Sequence, residues 1–170
     1  NLGTALENLG ELDKAVVSYR NALAIKPGFA KGHFNLGNAL GELGRTDEAA
    51  ASYRKALAIE PDYVEAHCNL GLALRELKKL DEAVASFSKA VAIKPDFAEA
   101  HNNLGNVLKE LGALDEAVAS YRNALAIKPD YAKVHLSLGS ALGELGRTDE
   151  AVASYHKALA IKPDYTDAHN

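Results

Sequence analysis

The sequence predicts an all-α fold, a solenoid of stacked helix pairs, and three observations carry that expectation. The five prolines, Pro27, Pro61, Pro95, Pro129 and Pro163, are each 34 residues from the next, a fixed period of the kind that marks repeat architectures. Between successive prolines, two runs of helix formers flank a short turn that usually holds glycine. No stretch alternates apolar and polar residues as a half-buried strand would.

The 170 residues then divide into a partial repeat, 1–29, the repeats 30–63, 64–97, 98–131 and 132–165, and the start of another, 166–170, read together as a single array. Residues 35–68 match 69–102 at 21 of 34 positions, whereas 1–68 match 103–170 at 49 of 68, so a three-repeat duplication overlies the single-repeat one.

Within repeat 30–63 the first helix is expected from Ala30 to Leu43, ended by Gly44, and the second from Asp47 to Ile59, stopped by Glu60-Pro61. Asp13, Asp47, Asp81, Asp115 and Asp149 stand where second helices begin, as caps or as negative charge at the positive end of the dipole. The preceding turn carries Gly10, Gly44, Gly112 and Gly146, with Lys78 as the exception, a residue that enters a left-handed turn only at some cost. Leu36, Leu40 and Leu43, then Ala49, Tyr53, Ala56, Leu57 and Ile59, recur at helical spacing and form the candidate core. Gly37, Gly71, Gly105 and Gly139 on first helices, and Ala56, Ala90, Ala124 and Ala158 on second ones, permit close approach. Tyr19, Tyr53, Phe87, Tyr121 and Tyr155 fill the remaining space.

Composition excludes several function classes. Hydrophobic residues make up 48% and charged residues 25%, and mean hydropathy is −0.16, which describes a folded soluble chain. No apolar run is long enough to span a bilayer. A net charge of −4 supplies no basic footprint for nucleic acid or a membrane surface. The single cysteine, Cys68, cannot form an internal disulfide, and a reducing, cytoplasmic setting is the mild inference. With no methionine and no signal-like start, the chain reads as an excised segment.

His33, His67, His101, His135 and His169 recur once per repeat. Equivalent residues of stacked repeats stand on the order of 10 Å apart, whereas ligands of one zinc all lie within about 2.1 Å of it. They are expected to pack and to hydrogen-bond neighbouring backbone, and no metal or cofactor is expected. Ser52, Ser86, Ser120 and Ser154 recur beside the aromatic position without an assembled base. They read as scaffold features, and the segment as non-catalytic.

The Leu-Gly pair (Leu36-Gly37), Asp47-Glu48-Ala49, Tyr53, Ala56 and Pro61, repeated down the chain, resemble the tetratricopeptide repeat family. That resemblance implies a right-handed superhelix. Histidine stands where the family usually has Trp. Together with Ala-His-x-Asn-Leu-Gly at 66–71 and 100–105, this looks most like the repeats of the O-linked N-acetylglucosamine transferases and related bacterial arrays.

In the resembled family first helices line a concave groove, and in those transferases an asparagine ladder grips the backbone of an extended peptide. By resemblance the ladder positions here are Asn1, Asn35, Asn69 and Asn103, with Ser137 breaking the series. One turn on are Asn38 and Asn106, with Thr4, Leu72 and Ser140 at the equivalent places. A carboxamide offers donors and an acceptor together and so matches a peptide unit without reading its side chain. Phe34, Leu72 and Leu136 are the candidate apolar contacts. Glu42, Glu76, Glu110 and Glu144 form an acidic row that favours a weakly basic partner. The lysine that chaperone-tail-binding members place beside the ladder is replaced by Phe34, Cys68, Asn102 and Leu136, which argues against that partner class. The bland alternative for these rows is a solvated helix face.

The expected function is thus a protein-interaction scaffold that binds an extended peptide in its groove. Two alternatives stand beside it: a self-associating array, or the substrate-recruiting part of a glycosyltransferase. Ala168-His169-Asn170 joined to Asn1-Leu2-Gly3 spell the Ala-His-Asn-Asn-Leu-Gly of 100–105, so end-to-end stacking in a crystal is the corresponding expectation.

Overall fold

The structure, a computed structural model, describes residues 2–163. Among them the chain forms ten α-helices and no strand: α1 (Leu2–Asn8), α2 (Leu12–Ile25), α3 (Ala30–Glu42), α4 (Thr46–Ile59), α5 (Val64–Glu76), α6 (Leu80–Ile93), α7 (Ala98–Glu110), α8 (Leu114–Ile127), α9 (Ala132–Glu144) and α10 (Thr148–Ile161). The fold is an all-α solenoid of helix-turn-helix repeats, and it divides into two compact units, Asn1–Ile93 and Lys94–Asn170. In the first, each helix of α1 to α6 packs on the next in chain order, and α3 also touches α5. In the second, α7 to α10 pack likewise, with α7 touching α9.

The turn inside each repeat follows from its residues. After α3, the Gly44 amide donates to the Gly41 carbonyl at 2.9 Å and the Arg45 amide to the Leu40 carbonyl at 2.9 Å. This is the paired-bond helix stop that needs a left-handed residue at its centre. Gly44 supplies it with φ +71°, and Lys78 adopts φ +60° at the equivalent place. The Arg45 carbonyl then accepts the Ala49 amide and opens α4. The Asp series therefore does not cap. Arg45 and Arg147 hold the cap positions without a side-chain cap bond, while Asp47 and Asp149 lie in the first turn as dipole charge.

The turn between repeats is held by histidine. Nε2 of His33, His67, His101 and His135 lies 2.8–3.0 Å from the carbonyl oxygen of Pro27, Pro61, Pro95 and Pro129, respectively. A carbonyl only accepts, so Nε2 carries a proton and is the donor. His169 lies outside the described residues. The serines are scaffold parts as well: the Ser52, Ser86 and Ser154 hydroxyls donate to the Glu48, Glu82 and Glu150 carbonyls at 2.9 Å.

The packing centre of each helix pair is an aromatic ring on a glycine. A Cβ placed on Gly37 would come within 2.5 Å of Tyr53 Cε1, and one on Gly71 within 2.7 Å of Phe87 Cζ. Leu36, Leu40, Ala49 and Ala56 are buried around Tyr53, and burying a leucine such as Leu40 is worth about 1.5–3 kcal/mol. Two core expectations shift: Ile59 is 41% exposed at the end of α4, and Tyr155 is 38% exposed, the residues after 163 being outside those described. Second helices are also tied by ion pairs, Arg20 to Glu48 and Arg54 to Glu82 in the first unit and Arg122 to Glu150 in the second. These are half-exposed and each contributes at most about 1 kcal/mol.

Gly37→Ala should destabilise the fold by about 1–3 kcal/mol because the Tyr53 ring must move, and Lys78→Gly should stabilise it by up to about 1 kcal/mol by relieving the left-handed backbone. Urea denaturation followed by circular dichroism reads both; an unchanged midpoint for Gly37→Ala would contradict the packing described.

Candidate functional site

The missing Cβ at Gly37 lets the Tyr53 ring cross α3, so that its hydroxyl emerges among the polar residues of the first helices. There it donates to Asn38 Oδ1 at 2.9 Å. Asn69, from the next first helix, donates its Nδ2 to the same oxygen at 2.9 Å. The Asn38 carbonyl is thereby filled by two internal donors. Its Nδ2 and the Asn69 Oδ1 have no protein partner among the described residues, so one donor group and one acceptor are available.

These groups border a cavity of about 370 Å³ on the first unit, lined by Asn38, Gly41, Glu42, Thr46, Ala49, Tyr53, Asn69, Leu72, Ala73 and Glu76. Five of the sequence-assigned residues, Asn38, Glu42, Asn69, Leu72 and Glu76, thus meet at one place. Leu72 is 43% exposed at its edge. Gly41 keeps the cavity open, because a Cβ there would meet only Ala49 Cβ and the Tyr53 oxygen, both at 3.9 Å.

The other assigned residues lie elsewhere. Asn35 is on α3, at the Tyr19 end of the first unit, where the Tyr19 hydroxyl donates to Glu7 at 2.7 Å. The Phe34 ring packs between Tyr53 and Tyr63, at centroid distances of 5.9 and 4.8 Å, as part of the interface between α3 and its neighbours. Asn103, Asn106, Glu110 and Leu136 are on the second unit. There Asn106 Oδ1 accepts from the Tyr121 hydroxyl at 2.9 Å, and Asn103 Oδ1 accepts from Asn102 Nδ2 at 3.4 Å. Asn1 lies outside the described residues.

Two elements of the site were not read from the sequence. One is the tyrosine hydroxyl, whose trace is a paired change within the chain: Tyr53 goes with Asn38 and Tyr121 with Asn106, but Phe87, which has no hydroxyl, goes with Leu72. The other is the reach of Lys109, which stands in the first-helix row where Gly41 stands two repeats earlier. Its Nζ donates to Ser140 Oγ at 2.6 Å and pairs with Glu144 Oε1 at 3.0 Å.

Burial raises the Tyr53 phenol to about 12, with the Asn69 amide opposing the shift and the Glu42 carboxylate adding to it. Burial likewise raises Tyr19 to about 12. It also raises the Cys68 thiol to about 11, so Cys68 is a packed thiol rather than a nucleophile. Among the described residues, no group of histidine, cysteine and carboxylate side chains is placed to hold a metal ion, and no helix is long and apolar enough to cross a membrane.

Residues 3–44, 42–77, 71–112 and 105–146 match the family model described as TPR repeat, and residues 132–165 match the model described as Tetratricopeptide repeat. Among solved structures the chain is similar to MamA (TM-score 0.93, 26% identity, covering 98% of each chain). It is similar also to YrrB, described as a TPR protein with an unusual peptide-binding site (TM-score 0.87, 25% identity, 98% of this chain and 86% of that one). MamA from Desulfovibrio magneticus RS-1 shares the fold at TM-score 0.91 with 20% identity, covering 97% of this chain and 93% of that one. No curated protein matches the sequence at a significant level.

The raised phenols tie stability to alkaline pH. The folded state holds its tyrosine protons more tightly than the unfolded chain, so their contribution is complete below pH 10 and is lost as pH rises towards 12. An ultraviolet difference titration should show the Tyr19 and Tyr53 phenols ionising near 12, and Tyr53→Phe should remove one phenol from that late phase; ionisation of all tyrosines near 10 would contradict the buried hydroxyl cluster.

Proposed function

The chain belongs to the tetratricopeptide repeat family, and from that premise we propose that it is a non-catalytic interaction scaffold holding an extended peptide segment along its first helices. The observation that carries this reading is the cavity of the first unit, where the Asn38 amide and the Asn69 carbonyl, both without a protein partner among the described residues, border an open space beside Leu72. A peptide unit offers the complementary pair, one N–H and one C=O, and repetition of such contacts along a segment builds affinity without specifying its side chains. The peptide-binding site named for YrrB supports the same reading. In its narrower form the partner is a glycosyltransferase substrate, the role implied by the Ala-His-x-Asn-Leu-Gly strings. The single buried Cys68 favours a reducing, cytoplasmic setting.

A second reading, self-association, is favoured by one surface. Leu2, Leu6 and Val17 of the α1–α2 hairpin line an apolar cavity of about 420 Å³, and Leu2 is 68% exposed. Light scattering against concentration separates the readings, because a pure peptide receptor stays monomeric.

A peptide array probed with the isolated chain should return extended segments, the tightest of which defines the ligand for calorimetry. Replacing Asn35, Asn69 and Asn103 together by Ala should weaken that peptide roughly tenfold or more, at about 1 kcal/mol per lost hydrogen bond, with helicity unchanged by circular dichroism. Unchanged affinity would remove the ladder from the proposal.

A further inference from the structure

We propose that the cavity beside Gly41 is a receptor for one lysine side chain of the bound segment, an inference that rests on the peptide-scaffold reading above. The chain carries its own comparison. Two repeats on, the position of Gly41 is Lys109, that of Leu72 is Ser140 and that of Glu76 is Glu144. There the Lys109 ammonium spans from α7 to α9, 2.6 Å from Ser140 Oγ and 3.0 Å from Glu144 Oε1. In the first unit the same framework of α3, α4 and α5 lacks that lysine, and the space is an open cavity of about 370 Å³ with Glu42 and Glu76 in its wall.

Neither carboxylate has a cation within ion-pair distance among the described residues. Arg75, next to Glu76 in sequence, does not line the cavity and has a partner of its own. Helix geometry adds to the charge. Glu42 is the last residue of α3 and Glu76 the last of α5, where the negative end of the helix dipole disfavours a carboxylate and favours a cation. The positive end of α4 also borders the cavity at Thr46, with Asp47 and Glu48 in its first turn, so the two carboxylates of the wall set a negative potential in a cavity at the small end of ligand-pocket sizes. The carboxylates and the Tyr53 oxygen are acceptors for an ammonium, and Leu72 and Ala49 suit the methylene stem. In the second unit the chain supplies its own lysine; in the first the partner supplies it.

The test uses the tightest peptide of the array screen, resynthesised with lysine or with norleucine at each position in turn and titrated against the wild type, Glu76→Gln and Gly41→Lys. At one position lysine should bind roughly tenfold tighter than norleucine at low salt, and both variants should erase the difference. Gly41→Lys should fold, since a Cβ there makes only ordinary contacts, at 3.9 Å, with Ala49 and the Tyr53 oxygen, and it places in the first unit the residue that Lys109 is in the second. Equal binding of the lysine and norleucine series to all three proteins would overturn this inference and leave the scaffold reading standing. A blank array would overturn the scaffold reading and this inference with it.

Discussion

The seating of an aromatic ring on a glycine is the contact on which the rest of the structure depends. With no side chain at Gly37 or Gly71, the antiparallel helices of a repeat close to the distance at which Tyr53 or Phe87 fills the space between them. That closeness buries the leucines on either side, and it decides where the far end of the ring arrives. When the ring ends in a hydroxyl, the arrival point must be polar, because a phenol buried without a partner costs about 1–3 kcal/mol. Asn38 and Asn106 meet that need, and at Phe87 the need vanishes and Leu72 takes the place. The polar row on the first helices is therefore partly an outcome of core packing.

That origin changes the meaning of the asparagine row. A carboxamide whose carbonyl is filled from within is fixed in orientation, and its remaining amide is held in place before any ligand arrives. Preorganisation of this kind lowers the entropic cost of binding. The two units differ in what stands beside it: an open, negatively charged space next to Gly41 in one, and a lysine already bonded to serine and glutamate in the other.

Much of the fold was legible because the determinants are local and recur. The proline period, the glycine turns with Lys78 as the exception, and the helix runs all act through a few neighbouring residues, and in the repeat 30–63 the helices start and stop within one residue of where the sequence placed them. The aspartates were ambiguous for a physical reason. The helix stop at Gly44 hands the chain directly to the next helix, so the cap position falls on Arg45 and the acid lies two residues inside. The candidate site was half legible. Residue types and spacing put Asn38, Asn69, Glu42, Glu76 and Leu72 on one face, but neither the hydroxyl that fills Asn38 nor the reach of Lys109 to Glu144 is a property of one helix. Both depend on how far one repeat stands from its neighbour, which a period does not state.

The ties between repeats also bear on how the chain reaches its fold. The ion pairs that join successive second helices link residues 28 apart, and the Asn69–Asn38 and Lys109–Ser140 bonds link residues 31 apart. Every one closes a loop shorter than a single period. Contacts of such short range carry a small closure entropy and accompany fast folding. Each helix pair can therefore dock as soon as its predecessor exists, so synthesis from the ribosome and folding proceed in the same direction and on the same module.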